Sequence, residues 1–269
     1  MTLPDSVELI SSFAFSGCTS LDSITILNKE ARIIYNDTIP EYTTIKGYKG
    51  STAEAYAQKY GNKFVALCEH TYKTTTTAKA TTKKNGSKVT KCSVCGAKKS
   101  SSTIYAIKTV SLSKTSYVYN GKAQKPTVTV KDSKGKKIAA SNYIVKYSSN
   151  KNVGKATVTI TFKGNYSGTV KKTFTIKPKA TTLSSVSAKS KGFTAKWKKL
   201  TTQTTGYQIQ YSTNSKFSSA KTTTVSKNKT TSKTVSKLKA KKKYYIRVRT
   251  YKTVKVNGKS TKIYSSWSK

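Results

Sequence analysis

Eight of the nine carboxylate side chains of this chain lie within residues 1–69. That segment also carries six basic residues, which gives it a net charge of −2, whereas residues 70–269 carry 46 Lys and Arg against one acid, Asp132, for a net charge of +45. The composition is otherwise rich in Thr, Ser, Val and Tyr; of these, Thr, Val and Tyr favour the pleated, half-buried surface of a strand. Lysine is common on exposed strands, where it discourages edge-to-edge pairing. The sequence therefore predicts a mainly β protein with a solvated, basic surface.

The same charge distribution argues against an enzyme. Hydrolytic and acid–base chemistry commonly uses paired carboxylates, and nucleophilic hydrolysis often uses a Ser-His-Asp set. Residues 70–269 offer one carboxylate and the single histidine of the chain, His70. We therefore expect this protein to present a surface and not to be an enzyme.

Apolar residues recur at every second position in the basic part of the chain, which is the period of a half-buried strand. The alternating runs are Ala156, Val158, Ile160 and Phe162; Phe174 and Ile176; Phe193, Ala195 and Trp197; Tyr207, Ile209 and Tyr211; and Tyr244, Ile246 and Val248. Turn residues such as Asn120-Gly121 separate the runs. The high charge would also suit a disordered chain, but this period predicts two β-sandwiches, in residues 104–177 and 178–269.

Residues 1–67 carry a different pattern. Leu21, Ile24 and Ile26 have the spacing of a short solenoid strand, and Phe13, Ala14 and Phe15 would fill its convex side. The phrase AFSGCTSL, followed by an Ile-rich strand, resembles the leucine-rich repeats of BspA-type bacterial surface proteins. The resemblance implies the end of a leucine-rich-repeat solenoid. Because one repeat cannot bury its own face, we expect further repeats before residue 1, in a longer exported protein.

Residues 51–61, STAEAYAQKYG, predict one clear helix. Ser51 or Thr52 can cap its N-terminus, Glu54 lies in the first turn, and Gly61 can end it. Residues 64–67, FVAL, then predict a buried strand. In BspA-type proteins a similar helix and strand close the solenoid, so the resemblance implies that this segment is the C-terminal cap.

The two predicted sandwiches carry resemblances of their own. Residues 104–177 contain the phrases YVYNGKAQKPTVTVKD and NKNVGKATVTITFKGNYSG, which resemble the immunoglobulin-like modules of bacterial surface proteins. Residues 178–269 resemble a fibronectin type III domain. The resemblance places Tyr244 at that family's corner tyrosine and Trp197 at its buried strand-B tryptophan.

Residues 68–103 form a small module that contains a candidate metal site. Cys92 and Cys95 form the two-thiolate turn that zinc uses, and Cys68 and His70, two residues apart, lie on one face if the segment is extended. These four ligands would make a closed, structural site that staples a module too small for its own core. A disulfide, which the exported context allows, and free thiols are the alternatives.

Three further features have a functional and a structural interpretation. The lysines could neutralise nucleic-acid phosphates, but they form no stripe, so we expect a solvated β surface without specific nucleic-acid recognition. Cys18, remote from the other cysteines, is expected to be a small buried hydrophobe. Six tyrosines, taken as exposed, could stack on sugars, although cross-strand packing is favoured. They are Tyr117, Tyr119, Tyr143, Tyr147, Tyr251 and Tyr264.

Together these features predict a non-catalytic adhesion and spacer fragment that is extracellular, on a bacterial cell surface. Its basic tail would associate with anionic cell-wall polymers or glycans in a salt-dependent way, and host or bacterial surface proteins are the other expected partners. Its apolar runs are too short to span a membrane. Two alternatives stay open: an accessory binding region of a larger surface hydrolase or peptidase, and a nucleic-acid-binding protein.

Overall fold

The computed structural model describes residues 1–256 and 258–268. These residues form 22 β-strands and one nine-residue α-helix, so the predicted mainly β fold is confirmed. They group into two compact units, one of residues 1–75 and 88–102 and the other of residues 76–87 and 103–269. The predicted domain boundaries after residues 67, 103 and 177 stay predictions.

The first unit is built on short parallel strands. In the sheet of order β1-β3-β5-β6, Thr2 pairs with Thr25 and Ile24 with Ile45, and β2 pairs with β4 in a second parallel sheet. Ile24 and Ile45 are fully buried. The leucine-rich-repeat assignment of this segment stays a prediction. The strands are β1 (Thr2–Leu3), β2 (Leu9–Ile10), β3 (Ser23–Ile26), β4 (Arg32–Ile33), β5 (Thr44–Tyr48) and β6 (Phe64–Leu67).

The predicted helix is present as α1 (Thr52–Tyr60). The Ser51 hydroxyl accepts a hydrogen bond from the backbone N–H of Glu54 at 3.2 Å, and the Glu54 carboxylate accepts one from the N–H of Gly50. The first bond satisfies an N–H group that the first helical turn cannot pair, and the second holds the residue before the cap. Gly61 ends the helix with a φ of 80°, a left-handed conformation that suits glycine.

Three expectations for the first unit were wrong. Phe13 does not fill the convex side but is 64% exposed, in a turn where its φ is 61°. Cys18 is exposed because it lies in a turn and not on a strand. Its backbone carbonyl accepts a hydrogen bond from the Tyr42 hydroxyl. Strand β6 is not buried: it is an edge strand, and Val65 is 39% exposed.

A three-stranded sheet of order β7-β8-β9 follows. Within residues 72–75, 88–92 and 98–102, all of which the structure describes, Cys92 is the one buried residue. Neighbouring strands are joined there by hydroxyl contacts such as that between Thr74 and Thr90, at 2.8 Å. This part of the sheet therefore lacks a hydrophobic core. The strands are β7 (Tyr72–Ala78), β8 (Gly86–Cys92) and β9 (Lys98–Ile104).

The next six strands form sheets of order β10-β12 and β11-β15-β14-β13. The predicted alternation holds: Ala156, Val158 and Ile160 on β14 are fully buried, and Phe174 and Ile176 on β15 join them in one core. The strands are β10 (Ile107–Leu112), β11 (Ser116–Val118), β12 (Val128–Asp132), β13 (Tyr143–Ser148), β14 (Gly154–Phe162) and β15 (Thr169–Lys177).

The last seven strands form sheets of order β16-β17-β20 and β19-β18-β21-β22. Trp197 on β17 and Ile209 on β18 lie in a common core with Val248 on β21. The strands are β16 (Leu183–Lys189), β17 (Gly192–Trp197), β18 (Gly206–Ser212), β19 (Lys221–Val225), β20 (Ser232–Val235), β21 (Tyr245–Val256) and β22 (Lys259–Tyr264). Among the described residues, no helix has the length and apolar character needed to cross a membrane.

Candidate metal centre

The structure brings the four predicted ligands together. Cys68 and His70 lie in the segment between β6 and β7, Cys92 ends β8, and Cys95 lies in the turn that leads to β9. Their candidate ligand atoms all lie within 4.8 Å of one another. Cys68 and Cys92 are 24 residues apart in the sequence, and the pairing of the strands brings them together.

The separations fit a tetrahedral ion. The sulfurs of Cys68 and Cys92 are 3.4 Å apart, and the Cys95 sulfur lies 3.3 Å from Nδ1 of His70. Four thiolate and imidazole ligands at ordinary zinc bond lengths stand about 3.5–3.8 Å from one another. Small adjustments of side-chain torsions would thus place all four around one ion.

The Cys92–Cys95 turn is arranged around a sulfur that carries charge. The N–H groups of Val94 and Cys95 point at the Cys92 sulfur, 3.4 and 3.5 Å away, and Gly96 completes the turn with a φ of 74°. The Cys95 N–H, with smaller contributions from His70 and the Val94 N–H, lowers the pKa of Cys92 to about 5. Cys92 is therefore a thiolate at neutral pH, the state that a metal requires.

Cys68 holds a proton in the metal-free cluster. Its hydrogen bonds with Cys95 and Cys92, together with burial, raise the pKa of Cys68 to about 12. Several thiolates close together repel one another, and a bound divalent cation would remove this repulsion and favour the thiolate on each sulfur. The donor set of three sulfurs and one imidazole is the type that zinc prefers.

His70 is oriented by the aromatic ring that follows it. The rings of His70 and Tyr72 stack with centroids 5.3 Å apart, and the Lys99 ammonium lies 4.7 Å from the centroid of the Tyr72 ring. In this arrangement Nδ1 of His70 lies next to the Cys95 sulfur. All four cysteines are free thiols in the structure, and Cys18 lies outside the cluster.

The six tyrosines considered as possible sugar-stacking residues do not form a site, and three of them show the cross-strand packing that was favoured. Tyr143 and Tyr251 are buried and the remaining four tyrosines of that set are half-buried, so the premise that these rings are exposed was wrong. They pack instead: Tyr143 lies edge-on to Phe162, and Tyr251 contacts Tyr264 across β21 and β22. The alternating pattern could have indicated the burial of Tyr143 and Tyr251, since both share the faces of core residues.

Sequence reasoning missed a stacked column on the last sheet. The guanidinium of Arg249 lies 3.9 Å from the ring centroid of Tyr264 and 4.1 Å from that of Trp267, and the guanidinium of Arg247 lies 4.8 Å from the centroid of Trp267. Arg249 also donates from Nε and an Nη to the Gln208 carbonyl. The one sequence signal for these contacts was the scarcity of arginine, since 3 of the 52 basic residues are arginine.

The last seven strands also carry two features expected from the sequence. Trp197 is 3% exposed on β17, and the hydroxyl of Tyr244 accepts a hydrogen bond from the N–H of Lys239 across the corner before β21. A fibronectin type III domain model matches residues 177–266. This confirms the fibronectin type III prediction, and such domains are commonly adhesion or spacer modules that bind proteins.

Among solved structures, the chain is similar to the crystal structure of the chicken CNTN1 FN1–FN3 domains. The identity is 15%, the alignment covers 68% of this chain and 77% of that chain, and the TM-score is 0.28. No curated protein matches the chain.

Proposed function

We propose that the chain is a non-catalytic adhesion and spacer segment of an extracellular bacterial surface protein, and that its basic tail, residues 70–269, associates with anionic cell-envelope polymers. The observation that carries this proposal is a surface of lysines without carboxylate partners. Within residues 70–256 and 258–268, the one carboxylate side chain belongs to Asp132, which is 7% exposed. Its carboxylate accepts hydrogen bonds from the N–H groups of Lys134 and Lys136 in a turn, and so serves the fold.

The lysines of the tail remain available to an external anion. In the part of the chain that the structure describes, the single ion pair joins Lys29 and Glu69, before the tail begins. A surface of one charge sign attracts polymers of the opposite sign over a Debye length, about 8 Å at physiological salt. Because the lysines lie on nearly every strand, the expected ligand is an extended polyanion such as a teichoic acid or an acidic glycan.

The β-sandwich architecture supports the spacer role. The fibronectin type III domain occupies residues 177–266, and such domains are frequent in extracellular proteins. We assign the leucine-rich-repeat character of residues 1–67 and the immunoglobulin-like character of residues 104–177 to the same proposal, on the resemblances given above. No catalytic step is part of it.

We also propose that Cys68, His70, Cys92 and Cys95 hold a structural zinc ion. The two N–H groups aimed at the Cys92 sulfur stabilise a thiolate, which a metal ligand needs and a disulfide sulfur does not. The adjoining part of the β7–β9 sheet buries little apolar surface. A bound ion would supply folding free energy that a hydrophobic core supplies in other domains. Elemental analysis and thiol titration of one sample test this proposal. One equivalent of zinc, with thiols that become titratable on chelation, supports it. A zinc-free protein that lacks two titratable thiols until a reductant restores them holds a disulfide and refutes it.

Wall binding tests the proposed function. The full chain is mixed with purified bacterial cell wall and with the same wall stripped of its anionic polymers, at increasing salt. We expect retention on intact wall at low salt, progressive elution as salt rises, and little retention on stripped wall. Retention that ignores salt, or that is equal on both walls, would contradict the proposal. Competition by duplex DNA far beyond that of heparin at matched charge would favour nucleic-acid binding instead.

A further inference from the structure

An open cleft of about 500 Å³ lies beside helix α1, in the acidic part of the chain. Arg32 from β4 lines one side of it, and Lys59 and Tyr60 from the last turn of α1 line the other. Tyr56, one turn earlier, lies on the same face of the helix, and its ring centroid is 4.7 Å from that of Tyr60. Tyr35 follows β4 and completes the aromatic lining.

The cleft is basic in a segment that is acidic overall. Residues 1–69 hold eight carboxylates and six basic residues, yet two of the six basic residues and none of the carboxylates line the cleft. Within the described residues, the guanidinium of Arg32 has no hydrogen bond or ion pair, and it is exposed. Lys59 places its ammonium 5.0 Å from the centroid of the Tyr60 ring. Both cations are therefore free to meet an anion.

The choice of arginine at position 32 is informative, because lysine supplies 49 of the 52 basic residues. The other two arginines lie where a planar, forked group is needed: Arg247 and Arg249 each stack on aromatic rings and donate two hydrogen bonds to one glutamine carbonyl. Arg32 has the same fork without an internal acceptor. A carboxylate is the ligand that a guanidinium fork matches with two parallel hydrogen bonds.

Tyr35 is held in a costly conformation on the rim. It is 66% exposed and its φ is 58°, in the left-handed region that a bulky residue seldom adopts. This backbone conformation sets the direction in which the Tyr35 side chain leaves the chain. An exposed tyrosine ring beside two cations offers a flat apolar face to a sugar ring.

We propose that this cleft, the Arg32 cleft, binds a carboxylate-bearing sugar unit of a glycan, namely a uronic or sialic acid. Arg32 holds the carboxylate through both arms of its guanidinium, Lys59 contributes a second positive charge, and the Tyr35 ring packs on the sugar. This site goes beyond the proposed function, since it lies outside the basic tail and recognises one functional group instead of any polyanion.

Calorimetric titration of the full chain with short oligosaccharides tests the proposal. Digalacturonic acid and sialyllactose supply the two carboxylated sugars, and their methyl esters remove the charge while keeping the ring. Salt of about 0.5 M suppresses binding by the tail, because it shortens the Debye length to a few ångströms. At least one acid sugar should bind, and its ester should bind at least about tenfold more weakly.

Variants locate the site. Arg32→Gln and Arg32→Lys should each weaken acid-sugar binding about tenfold or more, the second because an ammonium lacks the fork. Tyr35→Ala should weaken it as well. Lys49→Gln, which removes a charge elsewhere in the same segment, and Phe13→Ala, which removes an exposed aromatic with a φ of 61°, should leave it unchanged.

The outcomes are distinct. Binding of one acid sugar alone supports the site and identifies the class of glycan that it recognises, a uronic-acid polymer or a sialylated glycan. Failure of both acid sugars to bind, equal binding of an ester, or an equal effect of Lys49→Gln and Arg32→Gln would overturn the proposal. Retention on anionic wall at low salt, measured separately, should be the same for Arg32→Gln, so failure of this site and failure of the tail are told apart.

Discussion

Tyr207 in the fibronectin type III domain offers a quantitative test of the fold. Its side chain is fully buried, and its hydroxyl accepts a hydrogen bond from the N–H of Leu200 at 2.8 Å. The hydroxyl also lies 2.9 Å from the carbonyl oxygens of Leu200 and Asn228, to one of which it donates. One atom therefore ties two loops to the core of the sandwich.

Tyr207→Phe removes this oxygen and leaves an N–H donor and a carbonyl acceptor unpaired. An unpaired buried group costs about 1–3 kcal/mol, so we expect the free energy of unfolding to fall by about 2 kcal/mol. With a urea dependence of about 1–2 kcal/mol per molar for a domain of this size, the urea midpoint should fall by about 1–2 M.

Tryptophan fluorescence, excited where tyrosine does not absorb, reports on this domain alone, because both tryptophans of the chain, Trp197 and Trp267, lie in its strands or shortly after them. The ring of Trp197 is 5.2 Å from that of Tyr207, centroid to centroid. The matched control is Tyr251→Phe. Tyr251 is 2% exposed, and its hydroxyl has no hydrogen bond among the described residues. A midpoint for Tyr207→Phe equal to that of Tyr251→Phe would refute the reasoning.

Three further predictions follow from single contacts. Chelating the proposed zinc ion should speed amide hydrogen exchange in residues 88–102 and leave exchange in residues 154–162 unchanged, since only the former lack a core. Equal protection with and without chelator would exclude a structural ion. Arg249→Lys should lower the urea midpoint measured by tryptophan fluorescence, because an ammonium cannot stack on Tyr264 and Trp267 while donating two hydrogen bonds to Gln208. Lys233→Arg is the control and should leave the midpoint unchanged. Burial raises the pKa of Tyr207 above its ordinary value of 10.0. The contribution of the Tyr207 hydroxyl to the free energy of unfolding is therefore complete below about pH 10 and is lost as the pH rises towards the pKa of the folded state. The difference in urea midpoint between wild type and Tyr207→Phe should be smaller at about pH 10.5 than at about pH 8.

The sequence predicted the strands of the sandwiches well because burial there follows a strict two-residue period. On β14 the side chains of Ala156, Val158 and Ile160 point to one face, and that face is the core. The helix was equally predictable, since Ser51 is a local start signal and Gly61 a local stop signal, and both act on neighbours in the chain.

The parts that the sequence could not predict depend on distant packing. Whether Phe13, Cys18 and Val65 are buried is decided by which turns and edges the parallel strands leave uncovered, and no local period encodes that. The Cys/His cluster was partly predictable: the Cys92–Cys95 turn is a local signal, whereas the approach of Cys68 to Cys92 depends on strand pairing. The Arg32 cleft joins β4 to α1, and its one sequence signal was the scarcity of arginine.

The basic tail faces a physical difficulty, because a net charge of +45 opposes compaction. Aromatic rings take part of the role that carboxylates play elsewhere: Lys114 lies 5.0 Å from the ring centroid of Tyr117, and Lys262 lies 4.9 Å from that of Tyr251. Such contacts are weak and leave the ammonium charge in place. A polyanion that binds only the folded surface would relieve this repulsion and so stabilise the tail by mass action. Under the proposed function, adhesion and stability are therefore linked: an envelope polymer that binds the tail would also raise its resistance to unfolding, and high salt would reduce that gain.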